Sequence, residues 1–346
     1  VDFNNHNTIP QMTHFPVTNS NLSAKHIGLF LQKKYALGKD TQCQLLRAGI
    51  NDTYLVTDNS NKFVFRIYSL NWRTFTEISE EIKLLNELKQ NNISISYAIA
   101  DKENNFIQLL NAPEGDRFAV LFSYANGQKV HLISPDAHFQ IGQLMARFHK
   151  VTNNMKLNRV NYSPEVILID SLKQISKFLP LDTEEMIFMQ STQKYLLYEL
   201  KNADITNIRQ GIVHLDIWFD NLNITDDKQV TIFDFDFCGN GWLCLDIAYY
   251  ILQLHNIEKY EAKDYEPKVD YFIKGYESII PISEEEKRLI PILGISLYFF
   301  YLGVQCQRYD NWSNSFLSEN YLKRFINGLV KRYCDIYKLG YHNNFD

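Results

Sequence analysis

Residues 211 to 237 read GIVHLDIWFDNLNITDDKQVTIFDFDF, and the organisation of the whole chain follows from this stretch. A short apolar strand, Gly211 to His214, runs into Asp216, and Asn221 follows five residues later. A hairpin comes next, with arms Leu222 to Thr225 and Gln229 to Phe233 about a turn at Asp226-Asp227-Lys228, and it ends on Asp234-Phe235-Asp236-Phe237. Each apolar segment delivers a polar residue at its C-terminal end, the pattern of an assembled site. Turn capping by Asp and Asn is the plainer reading of each residue alone, but it leaves the joint spacing unexplained.

An Asp after a strand, an Asn five residues on and a second Asp closing the next hairpin is the spacing of a kinase catalytic loop. The first carboxylate, Asp216, is expected to orient a substrate hydroxyl and accept its proton. The amide oxygen of Asn221 and the carboxylate of Asp234 are expected to hold Mg2+ against the phosphates of ATP. His214 stands two residues before the base and is read as a second catalytic-loop residue that holds the loop by hydrogen bonds.

Upstream, Ser23 is placed to cap a helix carrying Ile27, Phe30 and Leu31 at helical spacing. Three strand-like runs over 41–68 form a meander, with turns at Gly49-Ile50-Asn51-Asp52 and Asp58-Asn59-Ser60-Asn61. Thr76 to Lys89 reads as a helix, and Arg117 to Ser123 as a strand. After Tyr124-Ala125-Asn126-Gly127 long helical patterns take over: Pro135 to His149, Pro164 to Leu179 and Thr183 to Lys201. The expectation is an α+β fold of two lobes, 1–124 with a small antiparallel sheet and 125–346 mainly helical.

The chain has 346 residues, enough for two packed lobes, with 45% hydrophobic and 22% charged residues as in ordinary globular enzymes. A net charge of -5 supplies no basic stripe for nucleic acid. The five cysteines, Cys43, Cys238, Cys244, Cys306 and Cys334, form neither a CxxC pair nor a metal spacing, which fits a reducing compartment. Val1-Asp2-Phe3-Asn4-Asn5 lacks the character of a secretion signal, so a cytoplasmic location without membrane attachment is expected. Leu289 to Gln307 approaches the length of a membrane span, but Pro291, Ser296, Gln305 and Gln307 favour a buried core helix.

Taken in order, GINDTYLV (49 to 56), FVFRIY (63 to 68), FAVLFSYANG (118 to 127), GQLMARFH (142 to 149), HLDIWFDN (214 to 221) and IFDFDFCGNGWLCLDIAYY (232 to 250) resemble the aminoglycoside phosphotransferase and choline kinase superfamily. The resemblance is nearest to the homoserine kinase type II branch and covers nearly the whole chain. It implies a protein-kinase-like fold, with Asp236 beside the metal ligand and Asp246, opening a helix, as supporting residues. It also implies that the turn of Gly49, Asn51, Asp52 and Thr53 covers the ATP phosphates through backbone N–H groups. Where protein kinases place a phosphate-binding Lys, this chain has Arg66, for which Glu81 is the expected partner and Glu80 and Glu77 are the alternatives. Backbone groups of Ser123 and Ala125 are positioned to meet the adenine edge.

Asp246 follows Asp234 by twelve residues, which leaves little room for a peptide-docking segment and points to a small-molecule hydroxyl acceptor. The HLDIWFDN form tilts the acceptor towards a homoserine-like hydroxy amino acid or an amino alcohol. Amino sugars and choline-like amines stay open, since Trp218, Trp242 and Trp312 offer aromatic faces for a cation. A nucleotide-binding pseudokinase is the non-enzymatic alternative, prompted by Arg66 and the single glycine of the loop.

Overall fold

Alternating apolar side chains and three tight turns make the first part of the chain a sheet, and helical periodicity makes most of the remainder helices. The computed structural model describes residues 15–130, 133–257, 262–310 and 314–339, so Trp312 and the first fourteen residues lie outside the described residues. The chain divides into two compact units: Val1–Thr74 with Ala100–Leu121, and Phe75–Ile99 with Phe122–Asp346.

In the smaller unit, α1 (Ala24–Tyr35) precedes the antiparallel strands β1 (Gln42–Arg47), β2 (Asn51–Asp58) and β3 (Asn61–Tyr68). Between the units of the meander and the next strands the chain passes through α2 (Phe75–Gln90) and β4 (Ala98–Ile99), then returns as β5 (Ile107–Ala112) and β6 (Gly115–Ser123). The sheet order is β1-β2-β3-β6, with β5 also on β6. Tyr54 pairs with Phe65 across β2 and β3, and both are fully buried with Val56, Ile67 and Leu31. The first turn is tighter than expected, because β2 already begins at Asn51. Phe65, Arg66, Ile67 and Tyr68 are all buried, so the end of β3 is covered on both faces rather than half-buried.

The larger unit takes α2 with it. Ser96 N–H donates to Ile232 O at 2.9 Å and Ile232 N–H to Ser94 O at 3.0 Å, which ties the segment after α2 into this unit instead of leaving one break near residue 124. It continues with α3 (Pro135–Thr152), α4 (Ser171–Ile175) and α5 (Glu184–Lys201). The helix expected over 164–179 opens instead as a π-helical turn, Glu165–Asp170, where Ser171 Oγ donates to Val166 O five residues back. Next come β7 (Gln210–Val213), the hairpin β8 (Leu222–Ile224) and β9 (Val230–Ile232), and β10 (Gly239–Trp242), which pairs with β7.

Helices α6 (Cys244–Ile257), α7 (Ala262–Glu277), α8 (Glu284–Gln307), α9 (Glu319–Phe325) and α10 (Lys331–Ile336) complete the unit. Glycines set the crossing of α3 and α7, since a Cβ on Gly142 would run into Phe272 O and one on Gly275 into Phe139 O. Helix α8 is long and apolar enough to cross a membrane by composition, yet 78% of its most apolar window is buried, against α4 and α6.

Candidate active site

Strand β7 ends at Val213, and the chain then makes a turn that only tertiary contacts can hold, because Leu215 adopts a left-handed φ of 62°. Asp246, in the first turn of α6 and fully buried, supplies those contacts. One carboxylate oxygen accepts from Leu215 N–H at 2.6 Å, and the other from His214 N–H at 2.9 Å and His149 Nε2 at 3.0 Å. His149 Nδ1 meets Tyr276 Oη at 2.7 Å, so α3, α6 and α7 all bear on the loop. Tyr301 Oη on α8 donates to Leu215 O.

His214 closes the loop from the other side. Asp216 N–H donates to its Nδ1 at 3.1 Å, and its Nε2 faces Phe233 O at 3.2 Å. An N–H and a carbonyl together dictate a neutral ring with the proton on Nε2. Both ring nitrogens are thereby committed to joining the Asp216 loop to the residue before Asp234, which is a structural duty.

The half-buried Asp216 carboxylate accepts from Tyr249 Oη at 2.6 Å and from Asn221 Nδ2 at 2.7 Å. Desolvation raises its pKa well above the ordinary carboxylate range. The Tyr249 hydroxyl pulls in the opposite direction, Asp234 adds to the rise, the Asn221 amide lowers it and Asp236 raises it. A carboxylate in that state is a stronger base than one in water.

Asn221 Nδ2 also donates to Asp216 O at 3.0 Å, so the amide is turned with its oxygen away from Asp216. That oxygen accepts no hydrogen bond among the described residues. Asp234 follows β9 in a left-handed conformation, φ 66°, and Asp236 is buried behind it. No three His, Cys, Asp or Glu side chains form a metal cage among the described residues. An all-oxygen pair of Asn221 and Asp234 fits Mg2+, which keeps waters and phosphate oxygens in its shell rather than a full protein cage.

Two arginines escaped the sequence reading. Arg159, with its side chain 1% exposed, lies 3.5 Å from Glu81 and donates to Glu77 O at 2.8 Å and to Asp236 O at 2.5 Å. It fastens α2 to the segment carrying Asp234 and Asp236. Glu80 instead accepts from Asn158 N–H at 2.8 Å, so Glu77, Glu80 and Glu81 of α2 all meet the 158–159 segment. In the smaller unit, Arg117 is 1% exposed and pairs with Asp52 at 2.9 Å and Glu114 at 3.2 Å, while donating to Tyr68 O at 2.8 Å. The Asp52 carboxylate, only 2% exposed, is therefore committed to a buried ion pair. Asn51 Oδ1 accepts from Ser69 N–H at 3.3 Å, Thr53 sits opposite Arg66 in the β2–β3 register, and Arg66 lies over the Tyr68 ring at 5.7 Å. Gly49 precedes β2 in the turn.

At the end of β6 the backbone of Ser123 is used in both directions, donating to Tyr97 O at 2.8 Å and accepting from Ser96 Oγ at 2.6 Å. Ala125 O accepts from Asn223 Nδ2 at 2.6 Å. The N–H of Ala125, a residue 5% exposed, donates to no group among the described residues. A buried donor without a partner is rare and marks a place for a ligand acceptor.

The sequence profile of the phosphotransferase enzyme family matches residues 42–278. An uncharacterized protein of Synechocystis is 28% identical over 95% of this chain and 92% of its own. A homoserine kinase of Methylobacillus glycogenes is 24% identical over 75% of this chain and 77% of its own. Among solved structures, a microcompartment-associated aminopropanol kinase superposes with TM-score 0.74 at 17% identity, covering 92% of this chain and 99% of that one. The amicoumacin kinase hAmiN, in complex with AMP-PNP, Ca2+ and amicoumacin, superposes with TM-score 0.72 at 19% identity over 88% and 94%. At these identities the structural likeness establishes a shared fold, the two-part kinase-like arrangement of small antiparallel sheet and larger helical part.

Proposed function

Since this chain belongs to the phosphotransferase enzyme family and is a small-molecule kinase with a hydroxyl acceptor, we propose that it uses Mg-ATP to phosphorylate a small amino alcohol or hydroxy amino acid. The single observation that carries this reading is the Asp216 carboxylate, gripped by Tyr249 and Asn221 and raised in basicity beside Asp234. A homoserine kinase among the relatives and an aminopropanol kinase among the structures are both named for a molecule bearing an amine and a hydroxyl, and that shared chemistry supports this acceptor class.

Asp216 accepts the proton of the acceptor hydroxyl as the oxygen bonds to the γ-phosphorus, the bond from that phosphorus to the β,γ-bridging oxygen breaks, and ADP leaves. Tyr249 and Asn221 hold the carboxylate in one orientation, so little reorganisation accompanies proton transfer. Magnesium, when bound, neutralises charge on the phosphate oxygens, and Asn221 Oδ1 and Asp234 are the residues assigned to hold it. The Ala125 N–H is assigned to the adenine edge with Ser123 as its neighbour. The backbone of Gly49, Asn51 and Thr53 and the side chain of Arg66 are assigned to the phosphates, with Glu81 and Arg159 supporting.

Phosphorus NMR of reactions containing Mg-ATP and, in separate tubes, homoserine, 1-amino-2-propanol, ethanolamine, choline or an aminoglycoside tests the acceptor. A new phosphomonoester resonance with one of the first three is expected. Turnover confined to the aminoglycoside would overturn the acceptor class, and no phosphomonoester in any tube would favour a nucleotide-binding protein without transfer.

A further inference from the structure

A cavity of about 840 Å³ opens in the larger unit at the end of β7 remote from the catalytic loop, formed by the turn after α3, the 161–164 segment and the paired strands β7 and β10. None of Asp216, Asn221, Asp234 or Asp236 lines it. Gln210 and Gly211 at its wall open β7, and the catalytic turn begins only after Val213 at the other end of that strand, about 10 Å on at strand spacing. The volume lies within the range of small-molecule sites.

The chemistry of the lining is one-sided. It contains Lys156 and Arg209 and no Asp or Glu, although the chain as a whole carries more acids than bases. Arg209 binds Glu286 through Nε and Nη2 at 2.9 and 2.8 Å, and its guanidinium also lies 5.5 Å over the Tyr276 ring. The rim consists of exposed carboxamides, Asn153, Asn154, Asn161 and Gln210, beside the exposed Lys156. Among the described residues none of these five side chains has a hydrogen bond or ion pair. Buried Leu200, Leu245 and Leu293 form the apolar floor, and the half-buried Trp242 indole offers a flat face and an N–H that donates to nothing described.

We propose that this cavity is a second ligand site, for a small organic anion with a flat apolar body. Lys156 and Arg209 meet the acid group, the carboxamides bond its oxygens, and Trp242 and the leucines cover the body. A carboxylate and a phosphate monoester share the required chemistry. The phosphate ester is also the type of product that the proposed reaction makes, but the site stands on its own lining and does not depend on that reading.

The test is calorimetric titration of the nucleotide-free protein with a charge series of one shape: benzoate, phenyl phosphate, neutral benzamide and cationic benzylamine. The anions are expected to bind at least tenfold more tightly than benzamide, and benzylamine to be excluded. The exposed substitutions Lys156→Glu and Asn161→Asp should each weaken the anions about tenfold while leaving phosphoryl transfer unchanged, and phenyl phosphate against benzoate distinguishes the two acid types. Anion binding no tighter than benzamide, no binding of any probe at 10-millimolar order concentration, or affinities indifferent to both substitutions would each overturn the proposal. Binding is read without turnover, so an inactive enzyme would still report on this site.

Discussion

Arg159 and Glu81 face each other at 3.5 Å with both side chains only 1% exposed, and the same guanidinium donates to the backbone of Asp236. The acidic residue of α2 is thus anchored inside the larger unit, by an arginine on the segment after α3. Burial lowers the arginine's affinity for its proton, but the nearby carboxylates of Glu81 and Asp236 offset this, so it stays charged. The pair couples the position of α2 to that of the Asp234–Asp236 segment.

Removing that arginine leaves a carboxylate in the interior with one fewer compensating charge. Arg159→Ala is expected to cost about 3 kcal/mol in urea unfolding and to raise the KM for Mg-ATP more than it lowers kcat. Arg159→Lys should recover part of the stability without the two-point grip on Glu77 O and Asp236 O. An Ala variant as stable as the parent would show that the pair carries no weight.

Asp246 receives three N–H groups where the backbone is left-handed at Leu215. Asn in its place offers one acceptor oxygen and turns an amide donor towards other donors. Asp246→Asn is expected to destabilise by about 2–4 kcal/mol and to lower kcat at least tenfold with a small change in nucleotide KM. Steady-state kinetics beside thermal unfolding checks both.

The raised pKa of Asp216 has a signature in the pH profile. The base must be ionised, so kcat/KM falls as pH drops through its raised pKa. The Tyr249 hydroxyl lowers that pKa, and Tyr249→Phe should therefore move the acid limb to higher pH, with a larger loss at pH about 6 than at pH about 8. An acid limb that stays put would dissociate Tyr249 from the base.

The same shift makes Asp216 a liability for stability. Below the unfolded carboxyl pKa the group is neutral in both states. Above it, the unfolded chain ionises first, and the folded state loses ground until pH passes the raised value. Asp216→Asn should consequently melt at the same or a slightly higher temperature than the parent at neutral pH, by a few degrees at most. A large drop in melting temperature would mean that the carboxylate stabilises the loop.

Much of this centre is legible from local pattern. Strand β7, the β8–β9 hairpin and the start of α6 follow from short-range periodicity and turn residues, and the five-residue step from Asp216 to Asn221 is closed by a hydrogen bond between the two side chains. Arg159, Arg117, Tyr249 and Tyr301 were not legible, because apart from Glu114 beside Arg117 their partners lie 33 or more residues away in sequence and are chosen by packing. Burial of charged residues carries no sequence signature of its own: Arg117 sits in an ordinary-looking strand. The π-helical turn before α4 escaped because a change of backbone register from i+4 to i+5 over six residues leaves no distinct side-chain periodicity.

Asp216 is proposed to take the proton of a small acceptor hydroxyl. Acceptor-stimulated ADP release in Mg-ATP, compared between the parent and Asp216→Asn with homoserine and 1-amino-2-propanol, tests it most directly. Stimulation is expected in the parent, with a loss of at least about a hundredfold in kcat in a variant checked by circular dichroism to be folded. Equal rates in the two proteins, or ADP release in the parent indifferent to every acceptor, would contradict it.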